Sequence, residues 1–404
     1  MRYCFYSVYQ NIKGGYTTLL LTLIKELNRQ KYEVVLFNFL DGLIVRELEK
    51  EGIKINVIDL KTVDWKEIDQ HIFPTDIFIV PKFIEEFRHL FKVNPRVIYY
   101  DINDFICRIS DYKFGIRLPS LGKKLIQKMI ASKSLLFMDD TGVFNLKNEF
   151  SLNVEKPQLL PIPIAVCNQN KYSGRASLSS EQIKLTYIGR SVIWKMNPLK
   201  KILKDCVNLN IKKKIIFSIV VDDLKNFREF IKLENFIKNE YLSINVIENI
   251  PPSRIEDFLL QKSDIHFAMG TAALEAARLG IPTILVDYSS KEFNKNYSYN
   301  WLYNTVNYSL GRNLEKIPAR TGVSLENLIG EFFRSPEKMK IESQKSYQYA
   351  MDNHSVSEIV SQLTTICEQA TFRLNDARPY IPYYFKFHLF SKKIFKLKIK
   401  QGII

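Results

Sequence analysis

Ser263-Asp264-Ile265-His266-Phe267-Ala268-Met269-Gly270-Thr271-Ala272-Ala273-Leu274-Glu275-Ala276-Ala277-Arg278-Leu279-Gly280-Ile281-Pro282 is the stretch from which the fold can be read. It opens with a short apolar run, turns at Gly-Thr and continues as one helix of small residues. It closes on Gly-x-Pro ahead of a second apolar run, 283–286. Short apolar runs bounded by turn residues suit strands buried on both faces of a parallel sheet. Strand, crossover helix and strand make a right-handed β-α-β unit. Gly270 allows a ligand close to the backbone. Thr271 and Ala272 open the helix, where amide N–H groups and the dipole favour an anion. Glu275 lies one turn further in. Its carboxylate can accept both hydroxyls of a ribose while the helix start holds a diphosphate. The plainer reading of Glu275 is a surface residue on an ordinary helix.

Some 80 residues upstream stands Tyr187-Ile188-Gly189-Arg190-Ser191-Val192-Ile193-Trp194-Lys195-Met196-Asn197-Pro198-Leu199. A strand ends at Gly189, and Arg190 and Lys195 follow, five apart, in an expected loop before a helix. Two cations at the C-terminal end of a strand can clamp a diphosphate and offset its charge as it leaves. The alternative is a pair of solvated charges.

Together these two segments resemble the donor domain of GT-B glycosyltransferases. In that family the first strand-loop carries Gly-Arg with a Lys five residues on, and a later helix carries the ribose-binding Glu before Gly-x-Pro. The resemblance covers roughly 183–290 closely and the rest of the chain more loosely. It implies an α/β protein of two Rossmann-like, doubly wound domains facing a central cleft, with a nucleotide-diphosphate sugar as substrate and no cofactor. It places the donor on Gly189, Arg190, Lys195, Gly270, Thr271, Ala272 and Glu275, with the backbone near Ile250 facing the base. Many retaining members carry a further Glu eight positions before the ribose-binding one. Here that position is Phe267, which leaves the stereochemical outcome open.

The N-terminal region has the same alternation. Strand patterns at 2–8, 33–38, 54–60, 76–80 and 96–100 flank helical patterns, the first running from Gly14-Gly15 to about Arg29. Ile12-Lys13-Gly14-Gly15-Tyr16 is similar to the Gly-rich first loop of the superfamily, which implies that Gly14 and Gly15 border the donor. It matches neither a P-loop nor the dinucleotide fingerprint. Tyr99-Tyr100-Asp101-Ile102-Asn103-Asp104 ends a strand on two acids. It is similar to a segment of some polysaccharide-building members, so Asp101 or Asp104 is expected to contact the acceptor or act as general base. Capping of a helix by Asp104 is the alternative.

Pro157, Pro161, Pro163, Asn168-Gln169-Asn170 and the Ser-rich 177–180 break the pattern. The expected division is 1–165 for the acceptor-side domain, 166–182 for a linker and 183–354 for the donor domain. A C-terminal helix at 355–379 and a basic amphipathic tail at 380–404 complete it. In the C-terminal half, strands are expected at 184–188, 214–220, 243–247, 264–268 and 283–286.

Composition limits the remaining classes. Lys and Arg number 58 against 43 acids, a formal charge of +15, which favours anionic partners. Five dispersed cysteines without C-x-x-C imply reduced thiols. No His/Cys cluster has metal-ligand spacing, and no Asp-x-Asp occurs, which excludes the usual metal site of GT-A enzymes. There is no signal-peptide pattern, and no run reaches the ~20 apolar residues of a membrane span. The tail interleaves Lys386, Lys392, Lys393, Lys396, Lys398 and Lys400 with Phe and Ile residues. It suits an anionic membrane surface, with packing on the N-terminal domain as the alternative. The expectation is a cytoplasmic, peripheral enzyme of bacterial surface polysaccharide synthesis. It would be metal-independent, with a saccharide or lipid-linked acceptor and no nucleic acid partner. The rivals are a nucleotide-sugar epimerase of the same fold, an inactive GT-B partner subunit and a basic nucleic-acid-binding protein.

Overall fold

The computed structural model describes residues 1–7, 10–11, 14–81, 85–102, 119–166, 182–209, 213–236 and 240–380. Asp104, all but the ends of the expected linker, and the tail beyond Tyr380 lie outside these residues. The chain divides into two compact units, Met1–Pro163 with Val356–Ile404, and Ile164–Ser355.

The first unit alternates strand and helix: β1 (Arg2–Tyr6), α1 (Gly15–Arg29), β2 (Glu33–Asn38), α2 (Leu43–Lys50), β3 (Asn56–Asp59), β4 (Ile77–Val80) and β5 (Arg96–Asp101). It continues with α3 (Pro119–Ala131), β6 (Leu135–Phe137), α4 (Asp140–Phe150) and β7 (Gln158–Leu159). The sheet runs β3-β2-β1-β4-β5-β6-β7, every pair parallel. All five residues of β1 are buried, as a strand covered on both faces requires. Helix α1 turns Leu19, Leu20, Leu23, Ile24 and Leu27 inward, the stripe of a 3.6-residue repeat.

The second unit begins β8 (Gln182–Ile188), α5 (Ile193–Val207), β9 (Lys214–Val221), α6 (Leu224–Phe230), β10 (Leu242–Glu248) and α7 (Pro252–Lys262). It proceeds through β11 (Ile265–Ala268), α8 (Thr271–Ala277), β12 (Thr283–Leu285), β13 (Asn300–Trp301), α9 (Leu325–Arg334) and α10 (Pro336–His354). Its sheet runs β10-β9-β8-β11-β12-β13, parallel except for the antiparallel edge strand β13. Phe217, Phe267, Ile219, Leu185 and Met196 are among its core. The position of the departed Glu, Phe267, is therefore packing. Its ring lies 6.0 Å from that of Phe217 and 6.2 Å from that of Tyr299.

After α10 the chain returns to the first unit as α11 (Val356–Gln369) and α12 (Leu374–Ala377). Val97 donates its N–H to Phe372 O at 2.9 Å, and Arg96 Nη1 reaches Cys367 O at 3.0 Å. Phe372, Leu374 and Ala377 are buried in the same core as Val97, Tyr99 and Met129.

Candidate functional site

An open parallel sheet leaves a crevice at the C-terminal ends of its strands where the winding reverses. In the second unit the chain steps from β8 outward to β9 and β10, then returns to β11 on the other side of β8. The reversal lies between β8 and β11. Residues 189–195 follow β8, and residues 269–275 follow β11. Topology thus brings together the two segments that were singled out in the sequence.

Gly189 is required by packing. A Cβ there would lie 2.7–2.8 Å from the ring and hydroxyl of Tyr187, whose OH donates to Lys195 O at 2.9 Å. Ser191 holds the turn, its N–H donating to Asp222 Oδ1 at 2.6 Å and its hydroxyl to Asp223 O at 2.6 Å. Lys195 was expected in a loop, but α5 already begins at Ile193, so Lys195 stands in the first helical turn. Val192 caps α5 without a side-chain hydrogen bond, so no Ser, Thr or Asp marked the start in the sequence.

Trp194 ties the two cations together. The Arg190 guanidinium lies 5.7 Å and the Lys195 ammonium 5.3 Å from its ring centroid, within cation–π range. The Tyr288 ring lies 5.3 Å from the same indole. Burial pushes the Lys195 ammonium down to about 8, with repulsion from Arg190 adding and Asp222 opposing. Trp194 and Asp222 were not singled out in the sequence. Trp194 stood inside the quoted motif. Asp222 follows another strand, and only the sheet brings it near.

Gly270 has φ +62° and ψ −144°, a conformation reserved for glycine. Its N–H donates to Leu310 O at 2.7 Å. A Cβ at Gly270 would meet nothing within 4 Å, so open space lies beside the turn. Thr271 and Ala272 begin α8. Glu275 is 32% exposed and accepts from Arg278 Nε at 2.7 Å, and Arg278 Nη2 reaches Glu256 of α7 at 3.3 Å. Ile250 stands two residues before the first residue of α7, Pro252, and is half-buried. Among the described residues no group of three or more His, Cys, Asp or Glu is placed to hold a metal ion.

In the first unit the reversal lies between β1 and β4, so the end of β1 and the start of α1 at Gly14 border its crevice. Tyr16 donates its hydroxyl to Tyr6 O at 2.9 Å, tying the helix start to the strand end. Gly14 is extended (φ 176°), and a Cβ there would meet nothing within 4 Å. Asp101 ends β5, only 3% exposed. It sits against the first turn of α4, where a Cβ on Gly142 would come 2.9 Å from its Oδ2. Asp139 caps that helix, accepting from Thr141 N–H at 2.8 Å.

No protein-family model matches the sequence, and no curated protein matches it. Solved structures do match. A glycosyltransferase from Rickettsia africae gives a TM-score of 0.58 at 12% identity, covering 91% of this chain and 98% of that one. HepE from Anabaena, solved with UDP, gives 0.58 at 11% identity, covering 91% and 100%. An alpha-glucosyltransferase solved with UDP-glucose and DNA gives 0.54 at 13% identity, covering 91% and 98%. The chain has the fold of the GT-B glycosyltransferases, with two Rossmann-like α/β units.

Proposed function

We propose that this chain is a glycosyltransferase that takes a sugar from a nucleoside-diphosphate sugar held by the second unit. The observation that supports the reading is that β8 and β11, the strands that lead into the segments of Arg190 and Lys195 and of Gly270 and Glu275, are parallel neighbours where the strand order reverses. HepE and the alpha-glucosyltransferase, which share the fold, were solved with UDP or UDP-glucose. In this reading Glu275 accepts the ribose hydroxyls, the amides at Thr271 and Ala272 meet the diphosphate, and the backbone at Ile250 borders the base. Arg190 and Lys195 offset the charge that grows on the departing diphosphate. On the first unit, Gly14 and Gly15 are assigned to the donor, and a Cβ at Gly14 would meet nothing within 4 Å. Asp101 or Asp104 takes the proton of the acceptor hydroxyl if transfer inverts the anomeric centre. The acceptor is a saccharide, lipid-linked in the setting we favour, which is assembly of a bacterial surface polysaccharide at the inner face of the plasma membrane. The Lys-rich tail supports that placement.

A thermal-shift screen with UDP-, GDP-, CMP- and dTDP-sugars tests the donor. A ligand that binds only the folded chain at a hundred times its Kd stabilises by about 2.7 kcal/mol, so the true donor raises Tm clearly. Glu275→Ala removes that shift, and Arg190→Ala or Lys195→Ala lowers kcat by about tenfold to a thousandfold with less effect on donor affinity. A flat response to every donor class overturns the reading.

A further inference from the structure

The Glu275 carboxylate already has a protein partner. Arg278 donates from Nε to Glu275 Oε2 at 2.7 Å and from Nη2 to Glu256 Oε2 at 3.3 Å. Among the described residues none donates to Glu275 Oε1. The guanidinium stands between two carboxylates, one on α7 and one on α8. Its side chain is 15% exposed, against 23% for Glu256 and 32% for Glu275.

An ordinary exposed pair at this helical spacing does little. Two features separate this one. The second carboxylate takes a further N–H of the same guanidinium, Nη2 next to Nε, so the arginine is tied to α7 as well as to its own helix. The two helices that carry the carboxylates are themselves packed, through the buried cluster of Leu259, Ala276, Leu279 and Ile281. A free glutamate loses rotamer freedom when it grips a ligand, and that loss weakens binding. Here part of the loss is taken on folding. A carboxylate has about four acceptor positions, and Arg278 uses one.

We propose that Arg278, anchored by Glu256, is a positioning residue that presets the Glu275 carboxylate for the ribose hydroxyls, and so sets a preference for ribonucleoside over 2′-deoxyribonucleoside diphosphates. The inference rests on the donor-site reading above. It ties the sugar of the nucleotide to α7, the helix that follows the base-facing stretch.

Calorimetric titration of the full chain with UDP, GDP, CDP and ADP, each beside its 2′-deoxy counterpart, reads the ribose contact apart from the diphosphate. The native chain favours the ribonucleotide of its cognate pair by about tenfold or more, the scale of one charge-assisted hydrogen bond. Glu275→Ala brings the ratio to about one. Arg278→Gln lowers it severalfold by weakening the ribonucleotide more than the deoxynucleotide, which keeps only the 3′-hydroxyl bond to Glu275, Arg278→Lys restores part of it, and Glu256→Gln falls between. A purely structural role would weaken both members of a pair equally, and that result overturns the proposal. If Glu275→Ala loses the preference while Arg278→Gln and Glu256→Gln keep it, the positioning role alone fails. If Glu275→Ala keeps the preference, or no pair binds, the donor-site reading fails with it.

Discussion

A lysine in the first turn of a helix meets the unfavourable end of the dipole. Lys195 occupies that place in α5; burial above all, and then repulsion from Arg190 beside the same indole, bring its ammonium down to about 8 from the ordinary lysine range, with Asp222 opposing. An anion at the helix start answers all three penalties at once. The sign follows directly. Between about 8 and the ordinary lysine range the unfolded chain holds the proton that the folded chain has released, so this residue's contribution to stability improves as pH rises through that window. Diphosphate binding runs the opposite way, because only the charged form attracts it. Affinity for a nucleoside diphosphate is therefore expected to be full near pH 7 and to fall as pH passes about 8. Lys195→Ala should flatten that profile, measured by calorimetry at constant ionic strength. A native profile unchanged from pH 7 to pH 9.5 would remove Lys195 from the diphosphate site. Arg190, Lys195 and Glu275 were singled out in the sequence by their types, their spacing and the family resemblance they carry. The partners that hold them were not. Glu256 lies 19 residues from Glu275 in sequence, and only the packing of α7 on α8 brings it to Arg278.

At the scale of elements, the strands buried on both faces were legible because an uninterrupted apolar run has no other economical use. The 214–220 and 283–286 runs became Lys214–Val221 and Thr283–Leu285. Strands β6, β7 and β13, of two or three residues, are too short to carry a pattern, and tertiary pairing alone makes them. The turn after β11 shows how an element end is built for closeness. Gly270 takes a glycine-only conformation and Gly311, at φ +124°, packs where a Cβ would lie 3.0 Å from both Met269 Cβ and Val286 O. Gly270→Ala is expected to cost about 1–3 kcal/mol in urea unfolding and to weaken nucleotide binding, since relief of the strain moves the start of α8. Gly14→Ala is the counterpart. Its backbone is extended and its surroundings open, so stability should stay within about 0.5 kcal/mol. Loss of transfer in a stable Gly14→Ala protein would then report a ligand at that loop, and full activity would remove it from the site.

For the whole molecule, the segment that follows α10 belongs with the first unit. The sequence pattern set 355–379 apart as a terminal helix, yet α11 and α12 supply core to the first unit: Ile359, Val360, Leu363, Cys367, Phe372 and Leu374 are all buried. Hydrophobic periodicity announces a helix but not which distant sheet it covers. Beyond Tyr380 the composition turns basic and aromatic, and among the described residues no helix is long and apolar enough to cross a membrane. These two facts separate two truncations. Deleting 371–404 takes Phe372, Leu374 and Ala377 out of the core; losing a buried Phe alone costs about 3–5 kcal/mol, a large share of a stability of about 5–15 kcal/mol. Its Tm should drop by many degrees. Deleting 381–404 removes none of the described elements, so Tm and nucleotide affinity should hold. What should disappear is co-sedimentation with phosphatidylglycerol vesicles, to which each of the six tail lysines contributes about 1 kcal/mol, less as salt screens them. If the shorter deletion lowers Tm as the longer one does, the tail is part of the fold. If both proteins bind vesicles as the full chain does, the membrane-facing charge lies on the folded units instead.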